Sequence, residues 1–261
     1  RFAARRESFV FPVRSREVPR RARRTTAQSE LAQENLPKTP LNRETLDGHA
    51  PERLSWTQLD ARVDAMAAAL IHSRQTILPK RLTAPGPSAG ELAQILSAAA
   101  HAPDHGQLTP WRFVLVPAAA RPALADVFAQ ALCERDPAAT PEQAEQAREK
   151  AYRAPVLMLV VVDSQCGDPA IDLSERLVSA GCAVQNMLLM ATAQGFGSAL
   201  TSGKALKSPG LRGLFQLDAW EQALCFVSIG TVQSRKAARA RPVADSYVST
   251  LDPQKGVVPG F

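Results

Sequence analysis

Between Arg176 and Lys204 the chain runs for twenty-seven consecutive residues without a charged side chain. Within that stretch Leu177 to Gln194 reads as one uninterrupted helix, ended by Gly195. A helix with no charge on any face has to be covered on nearly every side, by lipid or by protein. Ser179, Gln185, Asn186, Thr192 and Gln194 make it too polar for a lipid-facing span, and it lacks aromatic belts and a flanking basic loop. The expectation is no membrane span, and a helix at the centre of a fold or at a subunit interface.

The surrounding segments fit that centre. Val156 to Val162 is a continuous apolar run, the mark of a strand buried on both faces, and Ala223 to Ile229 reads as a second. Trp111 to Val116 is a third strand. Helices are expected from Ser55 or Thr57 to Leu70, from Ala89 to Ala100 behind the cap Ser88, over Pro122 to Arg135, over Pro141 to Tyr152 and over Leu211 to Phe215. The fold class is α+β. Gly230 to Pro242 reads as a basic loop, and the polar, Pro-rich tail from Val243 as a segment outside the core that extends over a partner.

Charge divides the chain differently. The net charge of +6 suggests a nucleic-acid or membrane partner, but residues 1–24 alone hold nine arginines against Glu7 and Glu17. The other 237 residues balance to −1. Residues 1–55 are therefore expected to be a solvated, disordered leader, and residues 56–261 one domain with its core at 66–248. Other readings of the leader meet obstacles. The apolar stretch after Arg5-Arg6 is too short for an export signal, Pro12 and Pro19 interrupt a presequence helix, and a nucleic-acid arm lacks interleaved aromatics. The first methionine is Met66. Cys133, Cys166, Cys182 and Cys225 are far apart and form no Cys-x-x-Cys, which points to reduced thiols and a cytoplasmic protein.

Familiar catalytic patterns are missing. Pro103 lies between His101 and His105 and blocks the helical geometry that would aim both rings at a zinc ion, so no metal is expected. Ser202 has no nucleophile elbow, and Gly195-Phe196-Gly197 follows a helix where a dinucleotide fingerprint would follow a strand. What remains are donor-rich loops at residues 73–76, 101–111, 200–203 and 235–236. Such loops suit a phosphorylated cofactor that does the chemistry itself, although Arg74 as a solvated surface charge is an equal alternative.

Several motifs fall in a recognisable order. They are Ser73-Arg74-Gln75-Thr76, Ala102-Pro103-Asp104-His105 with Pro110-Trp111, Ala180-Gly181-Cys182-Ala183, Gln194-Gly195-Phe196-Gly197 and Gly230-Thr231. From about Met66 to about Val248 the chain resembles the flavin-dependent nitroreductase family, in its compact YdjA-like branch. The resemblance implies a mixed, mostly antiparallel sheet wrapped by helices and an intertwined homodimer with FMN at the interface. It implies hydride transfer from NADH or NADPH through flavin N5 to a nitroaromatic, quinone or similar small electron-poor acceptor. FMN contacts would fall on Arg74, Gln75, Thr76, His101, His105, Leu200, Thr201 and Ser202, with His105 as a proton donor or a turn-closing residue. The NAD(P) stretch would fall on Met190, Ala191, Thr192, Ala193, Gln194 and Gly195. Gln75, His101 and Thr201 stand where close relatives carry Arg, and Leu200 where they carry Trp. Fewer positive charges near the flavin would weaken its reduced anionic form, with Arg235 or Lys236 as compensation. Two alternatives are a flavin-binding protein without reductase turnover and a basic-arm nucleic-acid binder with a flavoprotein body.

Overall fold

The computed structural model describes residues 56–235, 237 and 239–261, and the side chains from residue 62 onward apart from those gaps. The expected leader, residues 1–55, and Lys236 lie outside the described residues.

A five-stranded sheet organises the domain. Its strands are β1 (Leu82–Thr83), β2 (Trp111–Leu115), β3 (Val156–Asp163), β4 (Gly197–Thr201) and β5 (Glu221–Val232). The order is β2-β3-β5, and β1 and β4 each pair with β5 as well. Every ladder is antiparallel, and one parallel bridge joins Thr76 to Ser198. β3 is buried on both faces because both faces carry helices. Met158, Val160 and Val162 point to one side, Leu157, Leu159 and Val161 to the other.

The first side is covered by α2 (Ala89–Ala98) and α5 (Leu173–Ala193), with α1 (Trp56–Ser73) packed outside α5. Ala180, Ala183, Val184, Met187, Leu188 and Ala191 of α5 press on the sheet. Burying a Val, Leu or Met side chain contributes roughly 1.5–3 kcal/mol, so this contact alone fixes α5 on the sheet. Its outer face stays open: Val178 is 66% exposed, and Gly181 and Gln185 are exposed too. The helix is therefore not covered all round within one chain. The second side is covered by α3 (Arg121–Arg135), α4 (Pro141–Glu149) and the short α6 (Pro209–Leu214), which enclose Leu124, Leu211 and Phe226.

Local chemistry explains the helix limits. Ser88 and Glu91 form a reciprocal capping box at α2, as do Thr140 and Gln143 at α4. α5 begins earlier than the apolar pattern predicts, because Glu175 and the buried Arg176 sit in its first turns. The short β1, β4 and the tail hairpin were not expected. β4 follows α5 directly, and the tail folds into a hairpin of β6 (Ser249–Asp252) and β7 (Gly256–Pro259). Cross-strand partners Gly197 and Gly230 explain β4. A Cβ on Gly197 would lie 2.7 Å from Val232 and one on Gly230 2.5 Å from Pro155, so only glycines let the strands close here.

Candidate functional site

Two backbone ties build a basic cleft at the β4–β5 edge. The Ile77 N–H donates to Ser198 O at 2.9 Å, which lays residues 74–78 along β4. The Gln233 N–H donates to Arg81 O at 2.9 Å, which brings the loop after β5 to the same place. The cavity between them has a volume of about 270 Å³. Arg74, Arg81, Arg239 and Arg241 line it, with Gln75 and Thr76, and among the described residues no carboxylate does. Four guanidinium forks facing one small space form a donor set for a phosphate. Arg235 is exposed and does not line this cleft. The loop contributes Arg239 and Arg241 instead.

Leu78 lines this cleft and also a larger cavity of about 590 Å³ on the α3 side of the sheet. The floor of the larger cavity is apolar, built from Phe128, Leu132, Leu157, Leu206 and Phe226, with Phe128 and Phe226 in edge-to-face contact at 5.6 Å. Its rim carries Lys80, Arg135, Lys150, Arg153 and Lys204 and, among the described residues, again no carboxylate. Thr201, at the end of β4, and Gly203 close one wall. Leu200 faces the other way. It pairs with Val227 of the α5-side core, whereas Thr201 pairs with Phe226 of the α3-side core. Ser202 is exposed and lines neither cavity.

The remaining expected residues lie elsewhere. His101 ends a 3-10 turn after α2 and shares an open groove of about 610 Å³ with Asn186, Met190 and Ala193. Of the stretch 190–195, Ala191 is fully buried in the core and out of a ligand's reach. The Thr192 hydroxyl donates to Leu188 O at 2.8 Å, and Gln194 Nε2 donates to Gln94 Oε1 at 2.8 Å. The buried Gln194 Oε1 has no partner. His105 sits in a third place, with Nδ1 2.7 Å from Glu175 Oε2, which leaves Nε2 outward. The loop beyond it bends through positive φ at Gln107 and Thr109 and is held by the Thr109 N–H donating to Asp104 Oδ2. Within one chain, then, Arg74, Gln75, Thr76 and Thr201 line adjoining cavities, and His101, His105 and Leu200 do not.

Other groups bound the chemistry. Burial pushes the Cys225 thiol up to about 11, so it is no nucleophile at neutral pH. Among the described residues, no three His, Cys, Asp or Glu side chains converge as a metal site, and no helix is long and apolar enough to cross a membrane.

Comparison with known proteins decides the relationship. The model of the "Nitroreductase family" matches residues 71–231. The chain belongs to the nitroreductase family. The match spans both sides of the sheet, every residue of the cleft that precedes the basic loop, and the whole rim of the larger cavity. Two nitroreductase relatives are 33% identical to the chain. One, from Haemophilus influenzae, is named "Putative NAD(P)H nitroreductase" and aligns over 63% of this chain and 88% of its own length. The other, from Escherichia coli K12, is named "Putative NAD(P)H nitroreductase YdjA" and aligns over 59% and 82%. A solved structure from Desulfovibrio desulfuricans, a "putative nitroreductase in complex with FMN", superposes with a TM-score of 0.54 at 24% identity. It covers 71% of this chain and 97% of that one. The family match ends at Thr231, before Arg239 and Arg241.

Proposed function

We propose that this protein is an FMN-dependent oxidoreductase that carries two electrons from NADH or NADPH to a nitroaromatic, quinone or similar electron-poor acceptor. The observation that carries the reading is the pair of cavities meeting at Leu78, one with four arginines and no acid among the described residues, the other with an apolar floor. A phosphate on a polar chain joined to a flat apolar ring matches that pair in chemistry, and few other cofactors do. Arg74, Arg81, Arg239 and Arg241 would hold the phosphate, Gln75 and Thr76 the ribityl hydroxyls, and Thr201 with Gly203 the edge of the ring. When bound, FMN supplies hydride acceptance at N5 and delivery of the electron pair to the second substrate.

The protein's own work is electrostatic and geometric. Lys80 and Lys150 favour negative charge in the ring cavity, which offsets the arginines absent at Gln75, His101 and Thr201. Phe128, Leu157 and Phe226 keep the floor dry, which strengthens those charges. His105, with Nδ1 held by Glu175, can present a proton at Nε2. We place His101, His105, Leu200 and Ser202 toward the flavin of a second copy in a homodimer. The exposed Val63, Met66 and Ile71 of α1 and Val178 of α5 support that association. A cytoplasmic location belongs to the same reading.

The test is direct. The purified protein is expected to be yellow, dimeric by light scattering, and bleached by NADH or NADPH without oxygen, with colour restored by a nitroarene. A protein that takes up FMN but is never bleached would leave it a flavin binder without turnover.

A further inference from the structure

We propose that the acceptor is an anionic aromatic, a nitroarene or quinone bearing its own carboxylate, selected by Arg153 and Lys204 on the rim of the larger cavity. This rests on the FMN reading above. FMN carries its formal charge on the phosphate, and the four arginines of the smaller cleft already exceed that charge. The larger cavity adds five more cations and, among the described residues, no carboxylate. A flavin ring is neutral when oxidised and gains one negative charge when reduced, which Lys80 and Lys150 already match, so the others face whatever shares the space. Among the described residues none of the five makes a salt bridge.

Arg153 is held in place for this task. The buried Arg121 donates to Ala151 O at 2.6 Å and to Pro155 O at 3.2 Å, clamping the backbone on both sides of Arg153. Lys204 opens the 3-10 turn directly after the Thr201–Gly203 wall. With the flavin ring on the dry floor of Phe128, Leu132 and Phe226, Arg153 and Lys204 at the rim suit an aryl carboxylate whose ring stacks on the flavin and whose carboxylate points to the rim. For a nitroarene the balanced step is Ar–NO2 + NAD(P)H + H+ → Ar–NO + NAD(P)+ + H2O. One N–O bond breaks, the oxygen leaves as water, the nicotinamide is oxidised, and the carboxylate takes no part.

The test compares 4-nitrobenzoate with 4-nitrobenzamide, which differ in charge and little in size. Binding to the oxidised holoprotein is read from the flavin difference spectrum, and turnover as kcat/KM. We expect the benzoate to be favoured about tenfold in both readouts at low salt, and the ratio to shrink as salt rises. Arg153→Gln and Lys204→Gln should each move the ratio toward one, while Arg153→Lys and Lys204→Arg keep most of it. A ratio near one in a yellow protein that NAD(P)H still bleaches overturns the proposal and leaves the flavin reading standing. So does a ratio that survives both neutral variants, or variants that raise the KM for NAD(P)H alone, since the cations would then serve the nucleotide. Failure to take up FMN overturns the flavin reading and this proposal with it.

Discussion

Two arginines of this protein and four others show opposite uses of one side chain. Arg121 and Arg176 are 5% and 1% exposed, and backbone carbonyls accept their N–H donors. Arg176 donates to Ile171 O at 3.0 Å, Cys166 O at 2.6 Å and Asp168 O at 2.7 Å; Arg121 reaches Val116 O at 2.9 Å and Ala151 O at 2.6 Å. Arg74, Arg81, Arg239 and Arg241 line a cavity and make no salt bridge among the described residues. The first pair knots loops to the sheet. The second set keeps its donors available, and that is what makes a ligand site rather than a scaffold.

Removing Arg176 should break the comparison most severely. Arg176→Ala removes the donor of three backbone carbonyls, the buried Ile171 O among them, and opens a void, so stability should fall by about 3 kcal/mol or more in urea unfolding, with flavin content per folded molecule little changed. Arg239→Ala and Arg241→Ala should do the reverse. Each is expected to weaken FMN retention on dialysis by about tenfold while moving apoprotein stability by less than about 0.5 kcal/mol. Arg235→Ala should change neither. If it strips flavin as Arg239→Ala does, the cleft has been assigned to the wrong part of the loop.

Arg112 is an intermediate case, half exposed and bidentate to the buried Glu221 at 2.6 and 2.8 Å. Hydrogen bonding from Arg112 holds the Glu221 carboxyl below its ordinary 4.5. A depressed carboxylate stabilises the fold fully above its unfolded value and loses that contribution as pH falls through the folded value. Glu221→Gln should therefore flatten the loss of stability below about pH 4.5, read from thermal midpoints across an acid series. The smallest effect is expected at Ser88. Ser88→Ala removes one side of the α2 capping box and should cost about 1 kcal/mol with no change in flavin content.

The elements legible from the sequence were those whose signal is local. Val156 to Val162 announces a strand by its apolar run, and Ser88 with Glu91 announces a helix start. Gly197–Thr201 carries neither signal, and becomes a strand through its pairing with β5, where a Cβ on Gly197 would meet Val232 and Leu82. α1 runs from Trp56 to Ser73, so a chain started at Met66 would begin inside that helix. The site divides in the same way. Arg74 stood out beside Gln75 and Thr76, and the cleft includes it. Lys150 reads as part of the polar helix over Pro141 to Tyr152, with Arg153 just past its end, because periodicity cannot tell solvent from a cavity on the outer side of a turn. Within Gly230 to Pro242 a run of basic residues has no register, so Arg239 and Arg241 could not be told from Arg235 until the Gln233–Arg81 bond fixed the loop.

The twelve-residue β5 borders β1, β3 and β4, supplies Phe226 and Ser228 to the larger cavity and leads into the arginine loop. It is also the last core strand to leave the ribosome. Until residue 232 emerges, β1 and β4 have no ladder and β3 has β2 as its sole neighbour, so the growing chain holds one two-stranded ladder and separate helices. Loading with cofactor is therefore an event of the finished chain. Flavin supply in the cell acts on newly released protein, and a product cut short before β5 would be colourless, unfolded and quickly degraded.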